Sequence, residues 1–262
     1  MEVSSQKDQK AKKLSKLKTF TVPFNESEIE RNLTINTNRT ALTSKEQIMK
    51  QAFELHSQGN ILKASEYYQY FIKNGFKDHR VFTYYGVLLK ELGDTKKAAK
   101  YYREAIKLNP NYEEAYSNLG NILRELGNIK EAEKCYRKAI EINPKFTEAH
   151  SNLGTILREH GNIKEAKIYY QKAIELNPYF ADAYYNLGNI SREHDKIKEA
   201  EKYFRKAIEL KPNFAQAYYN LGDILRIKGD ITEGLSCSKK MISLRPWSII
   251  GAYSLNRKMK LN

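Results

Sequence analysis

Between Glu113 and Phe146, Tyr116, Leu119, Gly120 and Leu123 fall at i, i+3, i+4 and i+7, the spacing that gathers them on one face of a helix. Gly127-Asn128 interrupts that pattern, as expected where a chain leaves a helix through a left-handed residue. Ile129, Ala132, Tyr136, Ala139 and Ile140 restore helical spacing up to Asn143-Pro144, where proline disfavours helical geometry in the residue before it. The segment therefore predicts a helical hairpin closed by a sharp turn.

The same pattern returns every 34 residues, in units 45–78, 79–112, 113–146, 147–180, 181–214 and 215–248. A fixed period of this size means stacked units, because a single hairpin cannot bury its apolar face alone. Glycine inside a helix costs about 1 kcal/mol relative to alanine, so Gly86, Gly120, Gly154, Gly188 and Gly222 call for a packing reason. The expected reason is close approach to the second helix at Ala98, Ala132, Ala166 and Ala200, with Tyr102, Tyr136, Tyr170 and Phe204 filling wider gaps nearby. The first unit departs, with Gln51, Ala52 and Phe76 in place of leucine, glycine and proline. The last carries Gly234, Ser238 and Met241 in place of alanine, aromatic and alanine. Residues 1–44 are basic and polar and are expected to be disordered. Residues 249–262 keep first-helix spacing at Ala252, Leu255 and Met259 and are expected to form a C-terminal capping or partial helix, the alternative being a frayed terminus.

Leucine and glycine adjacent in the first helix, alanine and an aromatic four apart in the second, then alanine and proline, all on a 34-residue period, resemble the tetratricopeptide repeat family. The resemblance implies an all-α, right-handed α-solenoid of six helical hairpins whose first helices line a concave surface. It also implies a noncatalytic protein-protein interaction adaptor that binds an extended peptide segment in that groove.

On a helical projection, Glu114, Asn118, Asn121 and Glu125 lie opposite the apolar arc, with Ser117 and Arg124 at its edge. Across the units the asparagines form a row, Asn118, Asn152, Asn186 and Asn220, with Asn121 and Asn189 one turn further on. An asparagine amide both donates and accepts, so such a row can pair with an extended backbone whatever its side chains. The row resembles the asparagine ladder in the superhelix of O-linked N-acetylglucosamine transferase, although Tyr84 and Lys50 break it toward the N-terminus. The alternative is that these asparagines are solvated, or bond the backbone of a neighbouring repeat and stiffen the array. A second row, Lys90, Arg124, Arg158, Arg192 and Arg226, suits carboxylates and would favour an acidic partner, while the glutamates that directly follow, Glu91, Glu125, Glu159 and Glu193, could cancel it through local pairs. Asn121 and Asn152 fit part of the family's carboxylate clamp, but Ser117, Asp182 and Asn186 stand where that clamp needs basic groups.

Composition adds constraints. A formal charge of +14 is spread along the chain, which favours solubility over one anion-binding patch. Nucleic-acid or anionic-surface binding through Lys7 to Lys18 and the basic repeats is the second functional expectation, and a substrate-recruiting arm of a transferase the third. Cys135 and Cys237 share a phase three repeats apart, which argues against a disulfide or a paired-cysteine metal site. His160 and His194 also share a phase, but matching units supply Leu126 and Lys228, so no metal, cofactor or catalytic group is expected. The N-terminal residues lack the apolar stretch of a signal peptide or membrane span, and a cytoplasmic location is expected. Self-association through the irregular C-terminal end is a further expectation about partners.

Overall fold

The computed structural model describes residues 41–244, and all regular structure among them is helical. Twelve helices follow in six consecutive pairs. They are α1 (Ala41–Ser57), α2 (Ile61–Lys73), α3 (His79–Glu91), α4 (Thr95–Leu108), α5 (Glu113–Glu125) and α6 (Ile129–Ile142). Next come α7 (Thr147–Glu159), α8 (Ile163–Leu176), α9 (Ala181–Glu193), α10 (Ile197–Leu210), α11 (Ala215–Ile227) and α12 (Ile231–Leu244). The protein is an all-α solenoid of helical hairpins. The expectations for residues 1–40 and for the segment 249–262 lie outside the described residues. Ala41 to Ser44, expected to be disordered with the N-terminal segment, instead form the start of α1.

The chain divides into two compact units within α3, after Leu88. In the first, α1 packs on α2, with Ile48, Ala52, Ala64, Tyr68 and Phe71 almost wholly buried. Ala52, standing where other repeats have glycine, fits here without exposure. Phe76, in the place of the proline, meets the ring of Phe71 with centroids 5.3 Å apart.

In the second unit each helix packs on the next along the chain from α4 to α12, and first helices also touch two elements apart, α5 on α7 and α7 on α9. The turn after each of three second helices is written in its asparagine: Oδ1 of Asn109, Asn143 and Asn177 accepts from the backbone N–H two residues on, at 3.0 Å in each case. That side-chain bond holds the chain in a turn while the following proline prevents the helix from continuing.

At Gly154 an added Cβ would lie 3.2 Å from Ala166 O, the expected approach, and 3.0 Å from Tyr170 Cε1, whereas at Gly120 and Gly188 the nearest atoms all belong to the aromatic ring. A Cβ placed on Gly120 would lie 2.7 Å from Tyr136 Cε1, and one on Gly188 would lie 2.7 Å from Phe204 Cε1. The aromatic ring is thus seated on the glycine itself, and the alanines Ala132 and Ala200, fully buried, complete the contact rather than form it. The glycine surface admits a ring whose burial removes far more apolar area than an alanine methyl would.

Candidate functional site

First helices of the second unit begin on an aromatic residue. Tyr112, Phe146, Phe180 and Phe214 occupy the N-cap positions of α5, α7, α9 and α11, where none supplies a side-chain capping bond. Small polar residues are the usual choice at such sites, so the aromatic row trades a cap for apolar surface. Phe146, Phe180 and Phe214 line an open trough of about 750 Å³. Its floor is formed by Asn118, Asn121, Asn152 and Asn186, and Glu114, Glu148 and Asp182 stand along it one helical turn before the asparagines. Of the arginine row, Arg124 reaches it. The projection of the first helices found the asparagines and Arg124, but it could not find the phenylalanines, which precede the helix.

The four asparagines of the row are not equivalent. Asn152 donates to Oδ1 of Asn121 in the preceding repeat at 3.2 Å, and Asn220 donates to Oδ1 of Asn189 at 2.7 Å. Asn118 and Asn186 make no side-chain hydrogen bond among the described residues and stay half-buried at the trough surface. For Asn186 the reason is the residue 31 positions earlier, which is asparagine for the two tied rungs and Thr155 here. Thr155 turns its hydroxyl to Ser151 O at 3.1 Å and accepts from the Tyr170 hydroxyl at 3.1 Å. Asn121 likewise accepts from Tyr136 at 2.8 Å. Burial pushes the phenols of Tyr136 and Tyr170 upward, which keeps them neutral donors. Asn189 and Asn220 lie in the interior at 5% exposure each, outside the trough.

The basic row is a ladder between repeats. Lys90 meets Glu125 at 2.8 Å, Arg124 meets Glu159 at 3.3 Å and Arg158 meets Glu193 at 2.9 Å. The expected local pairs with the adjacent glutamates are replaced by pairs with the next repeat, because successive first helices lie side by side. The ladder stops at Ile227, which stands at the phase of those glutamates. Arg192 bonds Asn220 Oδ1 at 3.1 Å instead, and Arg226 turns to Asp223 on its own helix.

The remaining candidates are structural. His160 and His194 are helix C-caps, and His194 Nδ1 lies 2.9 Å from Ile190 O. No group of three or more His, Cys, Asp or Glu placed to hold a metal occurs among the described residues. Cys135 and Cys237 are free thiols, and burial pushes the Cys135 thiol up to about 11. No helix among the described residues is long and apolar enough to cross a membrane.

A tetratricopeptide repeat model matches residues 113–146, 147–180 and 181–214. A TPR repeat model matches 86–123 and another tetratricopeptide repeat model 203–235, so that the matches run without a break over more than half of the chain. The chain belongs to the tetratricopeptide repeat family. Among solved structures, this TPR chain is similar to MamA, at 28% identity over 62% of this chain and 94% of that one, with a TM-score of 0.50. It also shares its fold with PilF of Pseudomonas aeruginosa, at 16% identity over 78% of this chain and 93% of that one, with a TM-score of 0.67. A thermophilic TPR protein of Thermus thermophilus is similar at 19% identity over 70% of this chain and 100% of that one, with a TM-score of 0.60. No curated protein sequence matches the chain.

Proposed function

We propose that residues 89–244 form an adaptor that holds an extended protein segment along the asparagine-floored trough. The observation that carries this reading is the pair of open amides, Asn118 and Asn186, two repeats apart at the trough surface. An extended segment exposes backbone N–H and C=O groups that find no partner within itself, and each open amide can accept from one and donate to the other. Phe146 and Phe180, both half-buried, offer apolar surface for alternate side chains. The arrangement is similar to the asparagine ladder of O-linked N-acetylglucosamine transferase, with two of the four rungs available and two committed to the scaffold.

Charge narrows the partner. Lys90, Arg124 and Arg158 are bridged to glutamates, while Glu148 and Asp182 line the trough and Asp182 meets the ammonium of Lys211 at 3.7 Å. The middle of the bound segment is therefore neutral or basic, in place of the acidic segment suggested by the arginine row alone.

The test is a peptide selected from a random library on the full chain, with its affinity measured against two paired variants. Asn118→Ala with Asn186→Ala is expected to weaken binding about tenfold or more, from roughly 1 kcal/mol per lost hydrogen bond, with an unchanged melting midpoint. Asn152→Ala with Asn220→Ala is expected to lower the midpoint, since it removes the Asn220 donor from the buried Asn189 oxygen and leaves Asn121 with Tyr136 alone. Equal affinity of the first pair and the wild type would remove the basis of the proposal.

A further inference from the structure

The arginine ladder ends in a guanidinium without a carboxylate. Lys90, Arg124 and Arg158 each meet a glutamate of the following repeat, and Arg226 meets Asp223. Arg192 has no carboxylate partner among the described residues, because Ile227 occupies the position from which a glutamate would reach it. Of the acids on the same and the next first helix, Glu193 is engaged by Arg158 and Asp223 by Arg226.

What Arg192 has instead is a fixed support. The Asn220 amide donates through Nδ2 to Asn189 Oδ1 at 2.7 Å and to the Tyr185 hydroxyl oxygen at 3.4 Å. Those two bonds orient the amide, so its Oδ1 accepts from Arg192 Nη1 at 3.1 Å and holds the guanidinium in place. A guanidinium carries five N–H donors in a planar fork, and Asn220 takes one. Arg192 remains half-buried, within reach of solvent. It shares its phase with Arg124, which lines the trough, and its support includes Tyr185, which lines the trough as well.

We propose that Arg192 is a carboxylate-binding position at the trough edge, taking either an Asp or Glu side chain or the terminal carboxylate of the bound segment. This rests on the trough being the peptide site. The bound segment is then neutral or basic over the repeats headed by Glu148 and Asp182 and carries one carboxylate at the Arg192 end, which fixes its direction along the trough. A bidentate fork on a carboxylate is directional as well as strong, so it sets orientation where the asparagine amides, indifferent to side chains, do not.

The test uses the full chain and peptides selected on it from two libraries, one with free and one with blocked C-termini. Each carboxylate-bearing binder is compared with its Gln, Asn or C-terminal amide counterpart. Neutralising the carboxylate is expected to weaken binding to the wild type about tenfold or more and to leave binding to Arg192→Gln unchanged. Ile227→Glu supplies the missing rung from a site that is 67% exposed, and it is expected to behave as Arg192→Gln does while Arg192 itself is retained. Loss of dependence on an Asp or Glu of a blocked-library binder assigns a side-chain carboxylate, and loss confined to C-terminal amidation of free-library binders assigns a terminal one. A selection without carboxylate-bearing binders, or a carboxylate effect of equal size on wild type, Arg192→Gln and Ile227→Glu, overturns the assignment. The Asn118→Ala, Asn186→Ala pair separates the two readings: if it abolishes binding while the carboxylate has no effect, the trough stands and the Arg192 assignment falls.

Discussion

Asn220 Nδ2 lies 2.7 Å from Asn189 Oδ1, so one asparagine of the row is committed to the side chain that precedes it by 31 residues. Asn152 makes the same bond to Asn121, and at Asn186 the corresponding residue is Thr155. Thr155→Asn would give Asn186 the oxygen it lacks, and that oxygen could still accept from Tyr170, as Asn121 accepts from Tyr136 while bonding Asn152. The expected outcome is a thermal midpoint equal to or above wild type together with several-fold weaker binding of a trough-selected peptide. Calorimetry and fluorescence anisotropy on one preparation check both, and undiminished binding would show that Asn186 does not contact the segment.

Gly188 and Phe204 make a second pair whose consequence is measurable. An added methyl would sit 2.7 Å from Phe204 Cε1, and Phe204 is fully buried among Leu221, Ile224 and Leu225. Gly188→Ala gains about 1 kcal/mol of helix propensity and loses roughly 1–3 kcal/mol to overpacking. A net loss is expected, seen as a lower midpoint in urea. Adding Phe204→Leu should make the Gly188→Ala step less costly than it is beside phenylalanine; equal costs in the two backgrounds would deny the contact.

The hairpins and their period were legible because the apolar pattern repeats on a helical spacing and each turn is marked by Gly-Asn or Asn-Pro. The partner of Gly120 was not, since spacing says which face a residue occupies and not which of two residues on the opposing helix touches it. The split of the asparagine row was present in the sequence as Asn121 and Asn189 against Thr155, but it becomes visible only once the packing of first helices shows that residues 31 apart meet. The same holds for the arginines: each was read with the glutamate beside it, whereas the fold pairs it with the glutamate of the next repeat, and only then does Ile227 stand out.

Acid should weaken the junction between the last two hairpins. Glu201 is held below the usual glutamate range by the hydrogen bond from Lys228 at 2.6 Å, with Arg205 adding to this and burial working against it. Glu233 is lowered chiefly by Arg205, which donates to it at 2.9 Å. Depressed carboxylate values mean that the stabilisation is present above the unfolded value of about 4.3 and is lost as pH falls through the folded values. The denaturation midpoint is expected to hold between about pH 7 and pH 5 and to fall below about pH 4. Glu201→Gln should lower it at neutral pH by about 1 kcal/mol or less, as suits a partly exposed pair, and flatten the acid limb. An unchanged acid limb in that variant would place the acid sensitivity elsewhere.

Asp195 is the one non-glycine residue with positive φ among the described residues, at 56°. In the other units that turn position is held by glycine, at φ 77° for Gly127 and 80° for Gly161. The left-handed region costs an ordinary side chain about 1–2 kcal/mol, less for aspartate, whose short side chain tolerates it. The turn backbone is otherwise intact: Asp195 N–H donates to Arg192 O at 3.1 Å and Lys196 N–H to Ser191 O at 2.8 Å. Asp195→Gly therefore relieves strain without removing a hydrogen bond, and its stabilisation is partly offset by the greater freedom of glycine in the unfolded chain. A gain of up to about 1 kcal/mol is expected, about 2–4 °C in midpoint for a chain of this size. Asp195→Ala is the control, since it keeps the Cβ and removes the carboxylate. If alanine stabilises as much as glycine does, the cause is the charge of Asp195 and not its backbone angle.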